Sequence, residues 1–193
     1  AWTSPRARTR SERAVAAVRS SARWLAPTLL DCVLVSLLVW QFAAGGRWIT
    51  LLADGDTGWH IRTGEYILDE RQWPRQDLFS FSKPGEPWFA WEWLADVAFA
   101  VAFRLAGLSG VTVLAALAIV LAAVILFRRM LRLGANAFIA MIALMLALGA
   151  ASIHFLARPH VFTLLAWSVS WRLIERDRAQ PGRAIWWLVP LTL

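Results

Sequence analysis

The chain of 193 residues is 59% hydrophobic, contains 13 Trp and carries a formal net charge of +7. This composition is too apolar for an ordinary soluble domain, and abundant tryptophan is typical of proteins whose helices end at a membrane surface. The single cysteine, Cys32, excludes an intrachain disulfide. We therefore predict an all-α integral membrane protein with about five transmembrane helices, crossing the membrane several times.

Residues 1–26 are predicted to form a basic arm. Its charged residues are Arg6, Arg8, Arg10, Glu12, Arg13, Arg19 and Arg23. Positive charge beside a first transmembrane helix is typical of the cytoplasmic side, so we predict a cytoplasmic N-terminus and no nucleic-acid partner. Span 1 follows at 27–44. Asp31 within it is interpreted as an acid at the membrane interface or a contact to a neighbouring helix.

Residues 45–107 are predicted to form a long non-cytoplasmic loop with two interfacial helices. The first helix, 58–68, directly follows a glycine-containing turn. A second helical pattern begins near Phe89, but only a short apolar stretch separates Asp96 from Arg104. Because a span here would place charge deep in lipid, we predict that this helix lies on the membrane or partly in it.

Residues 108–193 are predicted to hold spans 2 to 5. The spans are Leu108 to Phe127, about Ala135 to Leu156, about Val161 to Ile174, and a last one that opens at Ile185. We expect this last span to be truncated and the chain to continue. With a cytoplasmic N-terminus, most arginines of this region face the cytoplasm, in agreement with the positive-inside rule. These arginines are Arg128, Arg129, Arg132, Arg172, Arg176, Arg178 and Arg183.

The turn that precedes the first interfacial helix holds the main candidate site. Asp54 and Asp56 can both point at one divalent cation, Mg²⁺ or Mn²⁺, or one can act as a general base while the other orients it. His60 shares the side of Asp56 if the helix begins near Thr57. The alternative is that Asp56 or Thr57 caps the helix, where acids are favourable.

Basic candidates for binding a phosphate group lie on the same predicted side of the membrane. Arg158 and His160 occupy the turn between spans 3 and 4, and the forked donors of arginine suit a phosphate. The alternative is that Arg158 extends to lipid headgroups. Arg62 is a third candidate, with a solvated ion pair to Glu65 as its alternative.

Glu92 and Asp96 lie at the start of the second interfacial helix, among several tryptophans. An acid in the first turn complements the helix dipole, and we assign this role to Asp96. Glu92 is then the functional candidate. Together, the candidate residues predict an outward-facing cluster of acids, basic groups and aromatics at headgroup depth, which suits a lipid-linked phosphate substrate.

Four motifs resemble a group of bacterial membrane proteins that is placed with the C-type (GT-C) glycosyltransferases, which use polyprenyl-phosphate-linked sugars. The motifs are Asp54-Gly55-Asp56-Thr57-Gly58-Trp59-His60-Ile61-Arg62-Thr63-Gly64-Glu65, Asp77-Leu78-Phe79-Ser80-Phe81, Trp91-Glu92-Trp93-Leu94 and Ala157-Arg158-Pro159-His160. The resemblance runs from about residue 27 to the end of the sequence.

The resemblance implies a role for several of these residues. The first-loop aspartate of the superfamily, which acts as base or helps to hold a metal, corresponds to Asp54 or Asp56, with a slight preference for Asp56. Glu92 corresponds to an acid of the second interfacial helix and Arg158 to a phosphate contact. The superfamily has more spans than this chain, so the resemblance implies the N-terminal portion of an enzyme of the bacterial cytoplasmic (inner) membrane, inactive as a 193-residue piece.

A second hypothesis belongs to a different class, a non-catalytic accessory subunit of a larger membrane protein complex. In this case the helices serve as packing surface for membrane lipids or other subunits. The tryptophans expected at such contacts are Trp167, Trp171, Trp186 and Trp187. Co-purification with other chains distinguishes this hypothesis from the first.

Overall fold

The computed structural model describes residues 27–192, and the regular elements in this range are helices. The α-helices are α1 (Leu29–Ala43), α2 (Asp56–Glu70), α3 (Trp93–Arg132), α4 (Ala137–Ala151), α5 (His160–Ala179) and α6 (Leu188–Thr192), and the 3₁₀ helices are Ala44–Leu52, Ser152–His154 and Arg183–Trp187. The predicted all-α class is confirmed. The predicted basic arm, 1–26, lies outside the described residues.

Helix α1 begins at a capping box. Thr28 Oγ1 accepts a hydrogen bond from the backbone N–H of Asp31 at 3.2 Å, and Asp31 Oδ2 accepts one from the backbone N–H of Thr28 at 2.7 Å. This pairing satisfies two donors that a helix start otherwise leaves without partners. Asp31 Oδ1 also accepts a hydrogen bond of 2.9 Å from Arg128 Nε of α3, so Asp31 makes the predicted contact to a neighbouring helix.

Helix α3 is divided by a break in its backbone. Ala106 has φ −149° and Gly107 has φ +60° with ψ −151°, a conformation that only glycine adopts readily. The break falls between the predicted second interfacial helix and predicted span 2. The helix itself begins at Trp93, so the predicted start near Phe89 is wrong, and residues 89–92 form a turn-containing connection.

Among the described residues, two helical segments are long and apolar enough to cross a membrane, Trp93–Arg132 and Ala137–His154. Leu29–Trp40 is apolar but shorter. The other helices are shorter, less apolar or more charged, so length and composition alone give two candidate spans in this part of the chain.

Helix α2 packs closely against the first part of α3 at Gly64. A Cβ on Gly64 would lie 2.0 Å from the carbonyl oxygen of Asp96 and 2.8 Å from the Cβ of Ala100, so only glycine fits. The main apolar core continues from this crossing toward α5, with Ile61 and Phe99 fully or almost fully buried. The position of α2 relative to α3 is therefore set by backbone contact.

Candidate functional site

The candidate site is built where the connection between α4 and α5 meets the start of α2. The backbone N–H of Ala157 donates to the carbonyl oxygen of Leu51 at 2.6 Å, and Thr57 Oγ1 donates to the carbonyl oxygen of Ala157 at 3.2 Å. Leu51, Ala157 and Val161 are buried members of the main core. The connection is thus anchored on both sides, and Arg158 follows directly after the anchored residue.

Arg158 lies between the two carboxylates that the sequence analysis singled out. Its Nη1 is 3.0 Å from Asp54 Oδ2, and its Nη2 is 2.5 Å from Asp56 Oδ2. The side chains of Arg158, Asp54 and Asp56 are 38%, 14% and 57% exposed, respectively. The site is therefore an arginine that bridges two acids at the protein surface, with one acid mostly covered and the other open.

Asp54, rather than Asp56 or Thr57, supports the start of α2. Asp54 Oδ1 accepts a hydrogen bond from the backbone N–H of Asp56 at 2.9 Å, while Gly55 occupies the cap position without a side-chain bond. The predicted capping role of Asp56 or Thr57 is wrong because both side chains have other partners. Asp56 binds Arg158, and the Thr57 hydroxyl donates to the α4–α5 connection.

His60 binds an acid other than the expected one. Its Nδ1 lies 2.7 Å from Asp96 Oδ1, and both side chains are buried between α2 and α3. His60 is therefore not directed with Asp56 at a shared ligand, and Asp96 does more than complement a helix dipole. A clue in the sequence was the spacing of Asp96 to Phe99 and Ala100, three and four residues later, which marks the buried face of α3.

The remaining predicted site residues do not join this cluster. Glu92 is exposed at the cap position of α3 and makes no side-chain cap bond. Arg62 pairs with Glu65 at 2.7 Å, and His160 bonds the carbonyl oxygen of His154. Among the described residues, no hydrogen bond or ion pair connects Arg62, Glu92 or His160 to the bridged acids.

An apolar recess of about 330 Å³ is lined by residues on both sides of Arg158 in the chain, from Ala151 to Trp167. It lies between the end of α4 and the first turns of α5, with His154, His160 and Thr163 as its polar members. Its lining is Ala151, His154, Phe155, His160, Val161, Thr163, Leu164 and Trp167. A short apolar chain fits a recess of this size and composition.

The bridged acids do not fit a divalent cation while Arg158 lies between them. One oxygen of each carboxylate already contacts the positively charged guanidinium of Arg158. A cation would have to displace this group to bind both acids. Within residues 27–192, no group of three or more His, Cys, Asp and Glu side chains is placed to hold a metal ion. We therefore derive no chemical step through a metal.

Asp77, in the second motif, supports a turn in the loop after α2. Its Oδ2 accepts a hydrogen bond from Ser80 Oγ at 2.5 Å, and its Oδ1 accepts from the backbone N–H groups of Phe79 and Ser80. These bonds, with the Ser80 hydroxyl first, lower the pKa of the Asp77 carboxyl below its usual value. Asp77 is therefore a turn residue that stays ionised, and it lies apart from the bridged acids.

No protein-family model, no curated protein and no solved structure matches this chain. The described residues define an all-helical protein with two candidate membrane-crossing segments and an arginine-bridged pair of acids at its surface.

Proposed function

We propose that this chain is the N-terminal membrane portion of a GT-C-like glycosyltransferase that uses a lipid-linked sugar donor. The observation that carries the proposal is the placement of Arg158 between Asp54 and Asp56. A partly exposed guanidinium suits the phosphate of a polyprenyl donor, and an adjacent open carboxylate suits a base. The two groups lie together although 102 residues separate Arg158 from Asp56 in the chain.

The proposal places this site at the non-cytoplasmic surface of a bacterial inner membrane. We assign a cytoplasmic N-terminus and about five spans, because seven of the eight arginines after residue 127 then face the cytoplasm, Arg158 being the exception. The 93–105 part of α3 lies at the membrane surface in this arrangement. Its exposed side chains Trp93, Leu94 and Leu105 support this placement, since they offer an apolar surface to lipid.

Donor binding is proposed to exchange the partner of Arg158. The donor phosphate replaces the carboxylate of Asp56 on the guanidinium, because two forked N–H donors match phosphate oxygens. The first part of the polyprenyl chain enters the apolar recess that His160 helps to line. Asp56 is then released to face the acceptor, while Asp54 keeps the start of α2 in place through its bond to the Asp56 backbone.

Transfer follows as a substitution at the anomeric carbon of the donor sugar. The acceptor hydroxyl oxygen forms the new bond to this carbon and gives its proton to the carboxylate of Asp56. The bond from the carbon to the phosphate oxygen breaks, and polyprenyl phosphate leaves with the electron pair. Arg158 stabilises the negative charge that develops on the leaving phosphate.

The test is the Asp56→Asn variant of the proposed whole enzyme, of which this chain is the N-terminal portion, in a sugar-transfer assay with a polyprenyl-phosphate sugar as donor. We expect transfer to fall by roughly 10²- to 10⁴-fold, the usual contribution of a general base, without loss of folding. Asp69→Asn is the matched control, since Asp69 is an exposed acid on the same helix that pairs with Arg104 at 2.6 Å. Full activity of Asp56→Asn contradicts the proposal.

One observation supports the second candidate function, a non-catalytic accessory subunit. Trp167, Trp186 and Trp187 are all largely exposed, so this end of the protein presents wide aromatic surfaces that could contact partner chains. This function requires that the protein co-purifies with other membrane chains after mild solubilisation. Isolation of the intact protein alone contradicts it and leaves the transferase proposal standing.

A further inference from the structure

A second recess, of about 350 Å³, lies at the other end of α2 from the bridged acids. The end of α2 and the first residues of the following loop form it. Its lining is Tyr66, Arg71, Gln72, Trp73, Arg75 and Gln76. The lining contains two guanidinium groups, two amides, a phenol and an indole, and no acid. Such a set of donors around a small volume favours an anionic ligand.

Arg71 holds an unusual backbone conformation at the edge of this recess. It ends α2 in the left-handed region, with φ +53° and ψ +34°, and it is the only non-glycine residue with positive φ among the described residues. Glycine is preferred at such a helix end because a Cβ is strained there. An arginine at this position therefore costs some stability relative to glycine.

The two guanidinium groups have no acidic partner in the described part of the chain. Neither Arg71 nor Arg75 makes a side-chain hydrogen bond or ion pair there, although both are exposed beside an acid-containing helix. Two nearby acids are engaged elsewhere, since Asp69 binds Arg104 and Asp77 binds Ser80. Glu70, the residue before Arg71, is exposed and forms no ion pair with it, so neither guanidinium group of the recess is held by an acid of the described residues.

The neutral groups of the recess are arranged to add further donors. Gln72 Nε2 donates to the hydroxyl oxygen of Tyr66 at 3.1 Å, so the Tyr66 hydroxyl keeps its own hydrogen for a second acceptor. The indole of Trp73 packs edge-to-face against Trp93, with ring centroids 5.8 Å apart. This contact fixes the ring of Trp73, which lines the recess, relative to the start of α3, although Trp73 itself is exposed.

From this geometry we propose that the recess at Arg71 and Arg75 binds a phosphate group. The two forked guanidinium groups hold the phosphate oxygens, and the Tyr66 hydroxyl donates a further hydrogen bond. The phosphate belongs either to a soluble phosphate compound or to a lipid headgroup, which present the same chemistry here. The site is separate from Arg158, so it does not depend on the proposed transfer reaction.

The test measures phosphate binding to the full chain in detergent and in vesicles. Inorganic phosphate is titrated by calorimetry at constant ionic strength. Co-sedimentation then compares vesicles of phosphatidylcholine alone with vesicles that also contain phosphatidylglycerol. We expect Arg71→Gly and Arg75→Gln each to weaken binding roughly tenfold, as removal of a charge-assisted contact does. Lys83→Gln is the control, because Lys83 is an exposed cation of the same loop that pairs with Glu86.

Arg71→Gly separates binding from folding. Glycine relieves the left-handed strain, so this variant is expected to unfold at the same temperature as the wild type or higher, while its binding falls. Binding of inorganic phosphate identifies a soluble ligand, and binding only to vesicles with phosphatidylglycerol identifies a headgroup.

Three outcomes overturn the proposal. They are no binding in either arm, an equal loss of binding in Lys83→Gln, and binding that only Arg158→Gln removes. The last outcome leaves the transferase site supported, so the two proposals fail separately.

Discussion

Two arginine–carboxylate clusters of this protein use the same chemistry in different surroundings. Arg128 binds Asp31 through two hydrogen bonds, of 2.9 and 2.5 Å, and their side chains are 14% and 5% exposed. Arg158 binds Asp54 and Asp56 with one nitrogen each, and its side chain and that of Asp56 are 38% and 57% exposed. The first cluster is covered and the second is open.

The difference separates a structural ion pair from one that can change partners. Asp31 Oδ2 also accepts from the backbone N–H and hydroxyl of Thr28, both at 2.7 Å, so little capacity remains for a ligand. Arg158 is shared between two acids, and exposed ion pairs contribute little to stability. The open cluster is therefore the one that a substrate phosphate can enter.

The largest effect is expected from Asp31→Asn, which tests the structural assignment. The variant removes the Asp31 charge from the covered Arg128 guanidinium and weakens the capping box. We expect the free energy of unfolding to fall by about 3 kcal/mol.

The measurement for this prediction is reversible unfolding in detergent. The same measurement on Asp56→Asn should show a loss below about 1 kcal/mol. Equal losses in the two variants would remove the distinction between the clusters.

A smaller effect is expected where α2 meets α3. Gly64→Ala places a Cβ 2.0 Å from the backbone oxygen of Asp96, so the helices must separate. We expect a loss of about 2 kcal/mol in the free energy of unfolding. Gly58→Ala is the matched control on the same helix, because no atom lies within 4 Å of its added Cβ.

Because alanine favours a helix interior over glycine, Gly58→Ala should stabilise the protein by roughly 0.5–1 kcal/mol. Thermal unfolding of the two variants measures whether Gly64→Ala destabilises the protein and Gly58→Ala stabilises it. If Gly64→Ala is as stable as Gly58→Ala, the close crossing of α2 and α3 is not a constraint on the fold.

The sequence was sufficient for the features that depend on local composition. The apolar content predicted the all-α class, and the short outer turn at Arg158 was expected on the same side as Asp54. The predicted boundary between the loop 45–107 and span 2 coincides with the break in α3 at Gly107. Each of these features follows from composition, charge or the order of apolar segments along the chain.

The features that sequence reasoning missed depend on contacts between distant segments. His60 and Asp96 are 36 residues apart, and nothing near either residue specifies the other. The cap of α2 was misassigned because the usual capping groups of Asp56 and Thr57 are taken by the α4–α5 connection. Local preference therefore gave way to tertiary hydrogen bonds at the places where the candidate site is built.

The most direct test of the account is the affinity of the Asp56→Asn protein for polyprenyl phosphate in detergent. If Arg158 exchanges Asp56 for the phosphate, removal of the competing charge should tighten binding by roughly fivefold, which corresponds to about 1 kcal/mol for an exposed ion pair. Arg158→Gln should lose binding in the same assay. Weaker or unchanged binding in Asp56→Asn would contradict the exchange, and with it the proposed role of the bridged acids.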